Sequence, residues 1–317
     1  GIDLKWIKSH KGLSVALKPS ALDSLATIRT RKGFEIVKEE MPFFRESMMI
    51  KEHDLMEIQR AQDSNDPYLD DVLNSIYDDA SELVEGARVS AEKMRMQLLA
   101  PVGGEMLISI GTADNTVYAY DYDPDSSWKN KHYAELSGTA TWDKADTAKP
   151  LNDIQVGTEY LSSIGMAPTY ALMNSKTFTY LIENNQMKNA FITSTGLSVG
   201  FMSKAKAREI FQLNTGLTVV LYDKMYTDYD GTEKKFYPDD YVTIIGAGTL
   251  GNTWAGVTPE ERTLRDDSSV DVSVLESGIA IATQTIYGPP VQYSTTASML
   301  ALPSYEGMDG VYVIKVK

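Results

Sequence analysis

The chain has 317 residues, 43% of them hydrophobic, a formal net charge of −14 and no cysteine. That length suggests two domains with sizeable cores, and the missing cysteine excludes disulfides, thiolate catalysis and sulfur-ligated metals while fitting a reducing cytoplasm. An acidic protein is a poor general DNA binder, because basic groups on phosphate supply most non-specific affinity, and no apolar run approaches the roughly 18 residues of a membrane span.

The sequence starts at Gly1, not Met, and nothing near it has the pattern of a signal peptide, so an earlier segment is expected to be missing. Charge is unevenly placed from the outset. Between Lys5 and Phe34 there are seven basic residues (Lys5, Lys8, Lys11, Lys18, Arg29, Arg31, Lys32) against Asp23 alone, a local +6 that leaves −20 for the rest. Two readings stay open: these side chains are simply solvated, or a basic front and an acidic body associate head to tail between copies. The β-prone runs Thr27 to Arg31 and Phe34 to Lys38 flank Lys32-Gly33 and predict a hairpin with a strongly basic tip. A hairpin alone is marginal in water, so this one is expected to lie on something else.

Asp66-Pro67 supplies a cap and a first-turn proline for a helix that runs to about Ala100. Leu69, Val72, Leu73, Ile76, Ala80, Leu83, Val84, Ala87, Ala91, Met94 and Leu98 recur at spacings of three and four, which predicts one buried stripe on a spine roughly 50 Å long. The early charges Asp70, Asp71, Asp78, Asp79, Glu82 and Glu85 are all acidic, and Arg88, Lys93 and Arg95 follow, an order that the helix dipole favours by itself.

Met106 to Ile110 and Thr116 to Tyr122 predict a hairpin with Tyr118, Tyr120 and Tyr122 on one face. From Asn152 the pattern becomes helix, strand, helix, helix, strand: Asp153 to Ile164, Thr169 to Met173, then helices opened by Ser175 and Ser203. The strands Leu217 to Tyr222, Lys234 to Tyr237 and Tyr241 to Ile245 complete an α/β unit. Ser298 to Leu302 and Val311 to Val316 close the chain and are expected to return to the first domain.

Within this last half, Gly246, Gly248 and Gly251 follow an apolar run as a formal G-x-G-x-x-G. A dinucleotide site needs that turn to open a helix, whose N-terminus holds the pyrophosphate. Asn252 to Pro259 has two helix breakers and no apolar stripe, so a strand leaving through a small-residue loop is the better reading. The histidines His10, His53 and His132 are scattered without triad or metal-ligand spacing. Asp121, Asp123 and Asp125, and more briefly Asp228 and Asp230-Gly231, alternate like part of a calcium loop, but neither run continues to the glycine and bidentate glutamate such a loop needs. Turn chemistry accounts for both. No catalytic, cofactor-binding or metal residue is therefore assigned, and no enzyme activity is expected.

The elements VVLYDKMYTDYDG, KKFYPDD, YVTIIGAG, IYGPP and SMLALPSYEGMDGVYVIKV, with SVALKPSALDSLATIRTRKGFEIVKEEMPFF upstream, resemble the lambda-type major capsid proteins of tailed phages, the capsid protein E family. The likeness covers the last hundred or so residues best and leaves residues 124–150 without a counterpart. It implies an α+β fold of the Hong Kong ninety-seven type, divided as amino-terminal arm 1–22, extended loop 23–60, peripheral domain 61–123 with the spine helix, connecting segment 124–150, axial domain 151–288 and return strands 289–317. It also implies a structural subunit that forms pentamers and hexamers of an icosahedral head, assembled in the host cytoplasm. Such a head encloses double-stranded DNA without sequence-specific contacts, with scaffold, portal and decoration proteins as further partners and no membrane. In the family the extended loop reaches over a neighbouring subunit. Arg29, Arg31 and Lys32 are accordingly expected to meet Asp78, Asp79 and Glu82 of an adjacent copy. An encapsulin-like protein nanocompartment shell is the alternative, and a nucleotide-binding enzyme using the Gly246 to Gly251 loop a further one.

Overall fold

The structure is a computed structural model that describes residues 3–9, 34–56, 60, 69–111, 117–196, 202–264, 270–275, 278–286 and 291–317. In chain order the strands and helices are β1 (Asp3–Ser9), β2 (Phe34–Glu40), β3 (Phe43–Ile50), α1 (Leu69–Leu99), β4 (Leu107–Gly111), β5 (Val117–Asp121), the single turn α2 (Lys129–His132) and β6 (Tyr133–Glu135). They continue as α3 (Pro150–Ser163), β7 (Pro168–Met173), α4 (Ser175–Glu183), α5 (Asn185–Thr195), α6 (Lys204–Thr215), β8 (Thr218–Leu221), β9 (Met225–Thr227) and β10 (Glu233–Lys235). The last strands are β11 (Tyr241–Gly246), β12 (Thr253–Gly256), β13 (Val270–Val274), β14 (Ile279–Ile286), β15 (Gln292–Pro303) and β16 (Val311–Lys315). Two compact units result, one of residues 1–5, 38–94 and 253–304, the other of 6–37, 95–252 and 305–317.

In the first unit β15 is the organising strand. It pairs antiparallel with β14 along one edge and with β3 along the other, and its last four residues pair with β12. Side chains alternate across a strand, so Ala297, Met299 and Ala301 share a face with Ile279 of β14 and with Phe44 and Met48 of β3. That face packs on Leu83, Val84, Ala87 and Ala91 of α1. Alanines on both sides bring helix and sheet backbones close, and Leu83, Val84, Ala91, Met94 and Leu98 of the predicted α1 stripe are buried. The opposite face keeps Ala280, Ala282 and Ser298 buried. Here the helical turn Glu260–Leu264 packs against β13 and β14, with Glu260 bound to Arg45 of β3 at 2.5 Å.

The second unit is a five-stranded sheet ordered β6, β16, β11, β7, β8, with parallel pairing at both outer edges and antiparallel pairing between. One core joins Ile154 and Leu161 of α3, Phe178 and Leu181 of α4, Met187 of α5 and Ile210 and Phe211 of α6 to Ala171, Val242, Ile244 and Ile314 of the sheet. A Cβ on Gly157 would stand 2.6 Å from Ile244 and 2.7 Å from Tyr312, so only glycine lets α3 lie this close. On the other side of the sheet the Thr243 hydroxyl donates to the Leu99 carbonyl at 2.6 Å. It thereby satisfies one of the orphan acceptors at the end of α1.

Two expectations change. β16 does not rejoin the first unit but lies between β6 and β11, because its continuous apolar run Val311 to Ile314 is buried on both faces and suits a central strand. The segment 124–150 is more than a connection: Trp142 and Ala148 sit in the second core, and the Trp142 indole N–H donates to Asp153 of α3 at 2.9 Å. β2 pairs with β1; the hairpin partner expected for it, Thr27 to Arg31, lies outside the described residues.

Candidate assembly surfaces

Of the six residues expected to join neighbouring copies, Arg29, Arg31 and Lys32 lie outside the described residues. Asp78, Asp79 and Glu82 all fall on α1. At 100° per residue, Glu82 lies on the side of the helix opposite the buried Leu83, Val84 and Ala91 stripe. Glu82 and Glu85 are exposed, and Glu85 lies 3.5 Å from Arg88 one turn on.

The K-x-F-x-P-D-D run, read from sequence as part of a family pattern, is a strut. Lys235 donates to Asp239 at 2.7 Å, Lys176 reaches the same carboxylate at 3.2 Å, and the Asn174 amide donates to it at 2.5 Å. Burial alone would raise the Asp239 carboxyl, but the hydrogen bonds from Lys235 and Lys176 outweigh it and hold the group below its ordinary value. Asp240 takes a positive φ of 67°, accepts from the Tyr180 hydroxyl at 3.0 Å and donates its own N–H to Thr177. Tyr237 is fully buried, with its hydroxyl donating to the Leu172 carbonyl at 3.1 Å and 2.9 Å from Thr243. Asp223 caps α4 from a distance, accepting from the Ser175 N–H at 2.7 Å. Each of these groups fixes one chain crossing to another.

The glycine loop also has a structural occupation. After Gly246 the chain enters β12, an extended strand, so there is no helix N-terminus to face a pyrophosphate. Instead the loop is fastened by Ala247 N–H to Ala167 at 2.7 Å and by Gly307 N–H to Leu250 at 2.7 Å. The Gly307 approach is close, since a Cβ there would meet Leu250 Cα and the Thr249 carbonyl at 3.0 Å.

The aspartate runs follow turn chemistry. Asp123 accepts from the N–H groups of Trp128 and Lys129, both at 2.9 Å, Asp121 accepts from Asp123 N–H, and Asp228 holds Lys234 at 2.6 Å. Among the described residues no group of three His, Cys, Asp or Glu is placed to hold a metal ion. His10 lies outside the described residues, and His53 is exposed beside Asp54. His132 differs. It is 4% exposed, stacks on Trp128, meets Tyr160 edge-on, and donates from Nδ1 to the Val311 carbonyl at 2.9 Å. Its sequence surroundings gave no sign of this, because Trp128, Tyr160 and Val311 come together only through the sheet.

Comparison with known proteins follows the same line. A family model described as phage major capsid protein E matches residues 7–268. No curated protein sequence matches significantly. Among solved structures, the chain is similar to a protein described as a prophage capsid protein from E. coli CFT073, at 14% identity and a TM-score of 0.61, covering 90% of this chain and 80% of that one. It is also similar to the subunit of the mature capsid of bacteriophage PhiM1, at 10% identity and a TM-score of 0.50, covering 99% and 82%. The fold is thus the α+β fold of Hong Kong ninety-seven type capsid subunits. Among the described residues no helix is long and apolar enough to cross a membrane.

Proposed function

The chain belongs to the phage major capsid protein E family, whose members are structural subunits of phage heads, and we propose that copies of it form pentamers and hexamers that close into an icosahedral shell around double-stranded DNA. The observation that carries this reading is a family match running through both units of the molecule, from residue 7 to residue 268. Assembly in the bacterial host cytoplasm, with scaffold, portal and decoration proteins as accessory partners, belongs to the same proposal. The nanocompartment alternative has nothing comparable in its favour, and the nucleotide-binding one lacks the helix its turn requires.

Within the shell, the basic tip of Arg29, Arg31 and Lys32 meets the acidic row of Asp78, Asp79 and Glu82 on a neighbouring copy. Opposite potentials steer such a contact and fix its partner more than they strengthen it. Each exposed pair contributes only about 0 to 1 kcal/mol, so the contact matters through repetition around a shell. Negative-stain electron microscopy of the purified chain tests the larger claim, with closed particles expected and a permanently monomeric population overturning it. Changing Arg29, Arg31 and Lys32 together to Glu tests the finer one: folded subunits that no longer assemble are expected, and shells of normal yield would rule the contact out.

A further inference from the structure

Trp128, which precedes α2, and His132, which ends it, are one helical turn apart, and both donate to the chain that follows β15. The Trp128 indole N–H reaches the Met308 carbonyl at 2.8 Å and His132 Nδ1 the Val311 carbonyl at 2.9 Å, so the two bonds bracket the short turn Met308–Gly310. That turn is closed by Gly310 N–H on the Gly307 carbonyl at 2.9 Å, and Gly307 N–H in turn holds the Leu250 carbonyl of the glycine loop at 2.7 Å. The second unit ends one of its segments at Asn252 and begins the next at Tyr305. The chain therefore leaves the unit just after Leu250 and returns to it just before the bracketed turn, and Trp128 and His132 fasten both places. Their own position is set by Asp123, whose carboxylate accepts from the N–H groups of Trp128 and Lys129, both at 2.9 Å.

The closed arrangement suits a neutral ring. Nδ1 carries the proton given to Val311, and Nε2 accepts from the Tyr160 hydroxyl of α3 at 3.4 Å. A second proton makes Nε2 a donor, which ends that match, and sets a charge between the Trp128 and Tyr160 rings. Few charged groups face it: Asp309 of the bracketed turn, 3.9 Å from Nε2, Asp123 ahead of α2, and Lys131 of α2 itself, which repels it. We propose that His132 is a pH-sensitive fastener: on taking up a proton it releases residues 305–311, and with them the glycine loop at 247–252, while the sheet behind them stays folded. Burial lowers the pKa of the ring, and the Val311 bond and Asp309 offset that only in part. The opened form thus binds the proton more tightly than the closed one, so the fastening is full above the ordinary histidine value of about 6.5 and weakens as pH falls below it. The device belongs to one folded chain and is independent of the shell reading above.

Amide hydrogen exchange of the whole chain at pH 7.5 and pH 5, read by mass spectrometry and corrected for the intrinsic effect of pH on exchange, tests this. Peptides covering 247–252 and 305–311 are expected to exchange several-fold faster at pH 5, up to the ceiling of about thirtyfold that one histidine supplies over that range, while those covering β7 keep their protection. His132→Gln, uncharged at both pH values, is expected to protect these peptides equally at both. Asp309→Asn removes the nearest carboxylate that favours the charged ring and is expected to enlarge the acid effect, which keeps the test decisive should His132→Gln fail to fold. Equal protection of the wild type at the two pH values overturns the proposal. So does an acid effect that is undiminished in His132→Gln or reduced in Asp309→Asn, since another group would then be taking up the proton.

Discussion

His132 shows how much a single buried group can set. Its Nδ1 proton is fixed by donation to Val311, leaving Nε2 as the acceptor facing the Tyr160 hydroxyl at 3.4 Å, with Asp309 3.9 Å away. Burial lowers its pKa, and the Val311 hydrogen bond and the nearby charge of Asp309 oppose that shift without reversing it; Asp123 acts with them and Lys131 against. A folded-state pKa below the unfolded value means that the unfolded chain binds more protons in this range. Stability is therefore full above the unfolded value of about 6.5 and declines as pH falls below it. Melting curves at pH 7.5 and pH 5 are expected to show an acid-induced drop for the wild type that is smaller in His132→Gln, even though that variant starts lower. Equal drops in both would show that another group is responsible. At Thr243, which ties Leu99 to Tyr237, Thr243→Val is expected to destabilise by about 1 to 3 kcal/mol through orphaned buried acceptors, measured by urea unfolding.

At the scale of the elements, helix and sheet contacts rest on residue size. α1 meets a sheet face of Ala297, Met299 and Ala301, and α3 meets its own sheet across Gly157. Leu83→Ala removes a buried side chain from the first contact and is expected to cost about 2 to 5 kcal/mol. Gly157→Val forces the second contact apart at Ile244 and Tyr312, an overpacking cost of about 1 to 3 kcal/mol that the better helix propensity of valine only partly offsets. A Gly157→Val melting temperature at or above the wild type would mean that α3 can shift outward freely. These elements were readable in advance. Periodicity of three and four located α1, and Ser203 caps α6 as expected, whereas α4 is capped one residue earlier than expected, by Asn174 and not Ser175. The lack of a helix after the glycine loop was readable too, from the helix breakers in Asn252 to Pro259, but the strand β12 there was not expected.

For the molecule as a whole, charge and association are the same question. The proposed ionic contact between Arg29, Arg31 and Lys32 and the Asp78, Asp79 and Glu82 of a neighbouring copy would be screened over about 8 Å at physiological salt and over about 3 Å at 1 M. Light scattering of assembling wild-type chain across that range is expected to show slower assembly at high salt. Assembly rates independent of salt in the wild type would remove the ionic contact from the mechanism.

The sequence by itself determined the spine helix, the alternating helices and strands of residues 150–246 and the family pattern, because each is written in local spacing or in contiguous motifs. Only the tertiary structure decided that β16 is a central strand of the second sheet, that Trp142 belongs to that sheet's core, and that His132 is enclosed by Trp128, Tyr160 and Val311. Those arrangements depend on residues brought together across long separations, such as Tyr133 with Val313 and Ile244 with Tyr312. A periodic pattern tells a strand which face is buried, but its partner is chosen by the packing of the whole sheet.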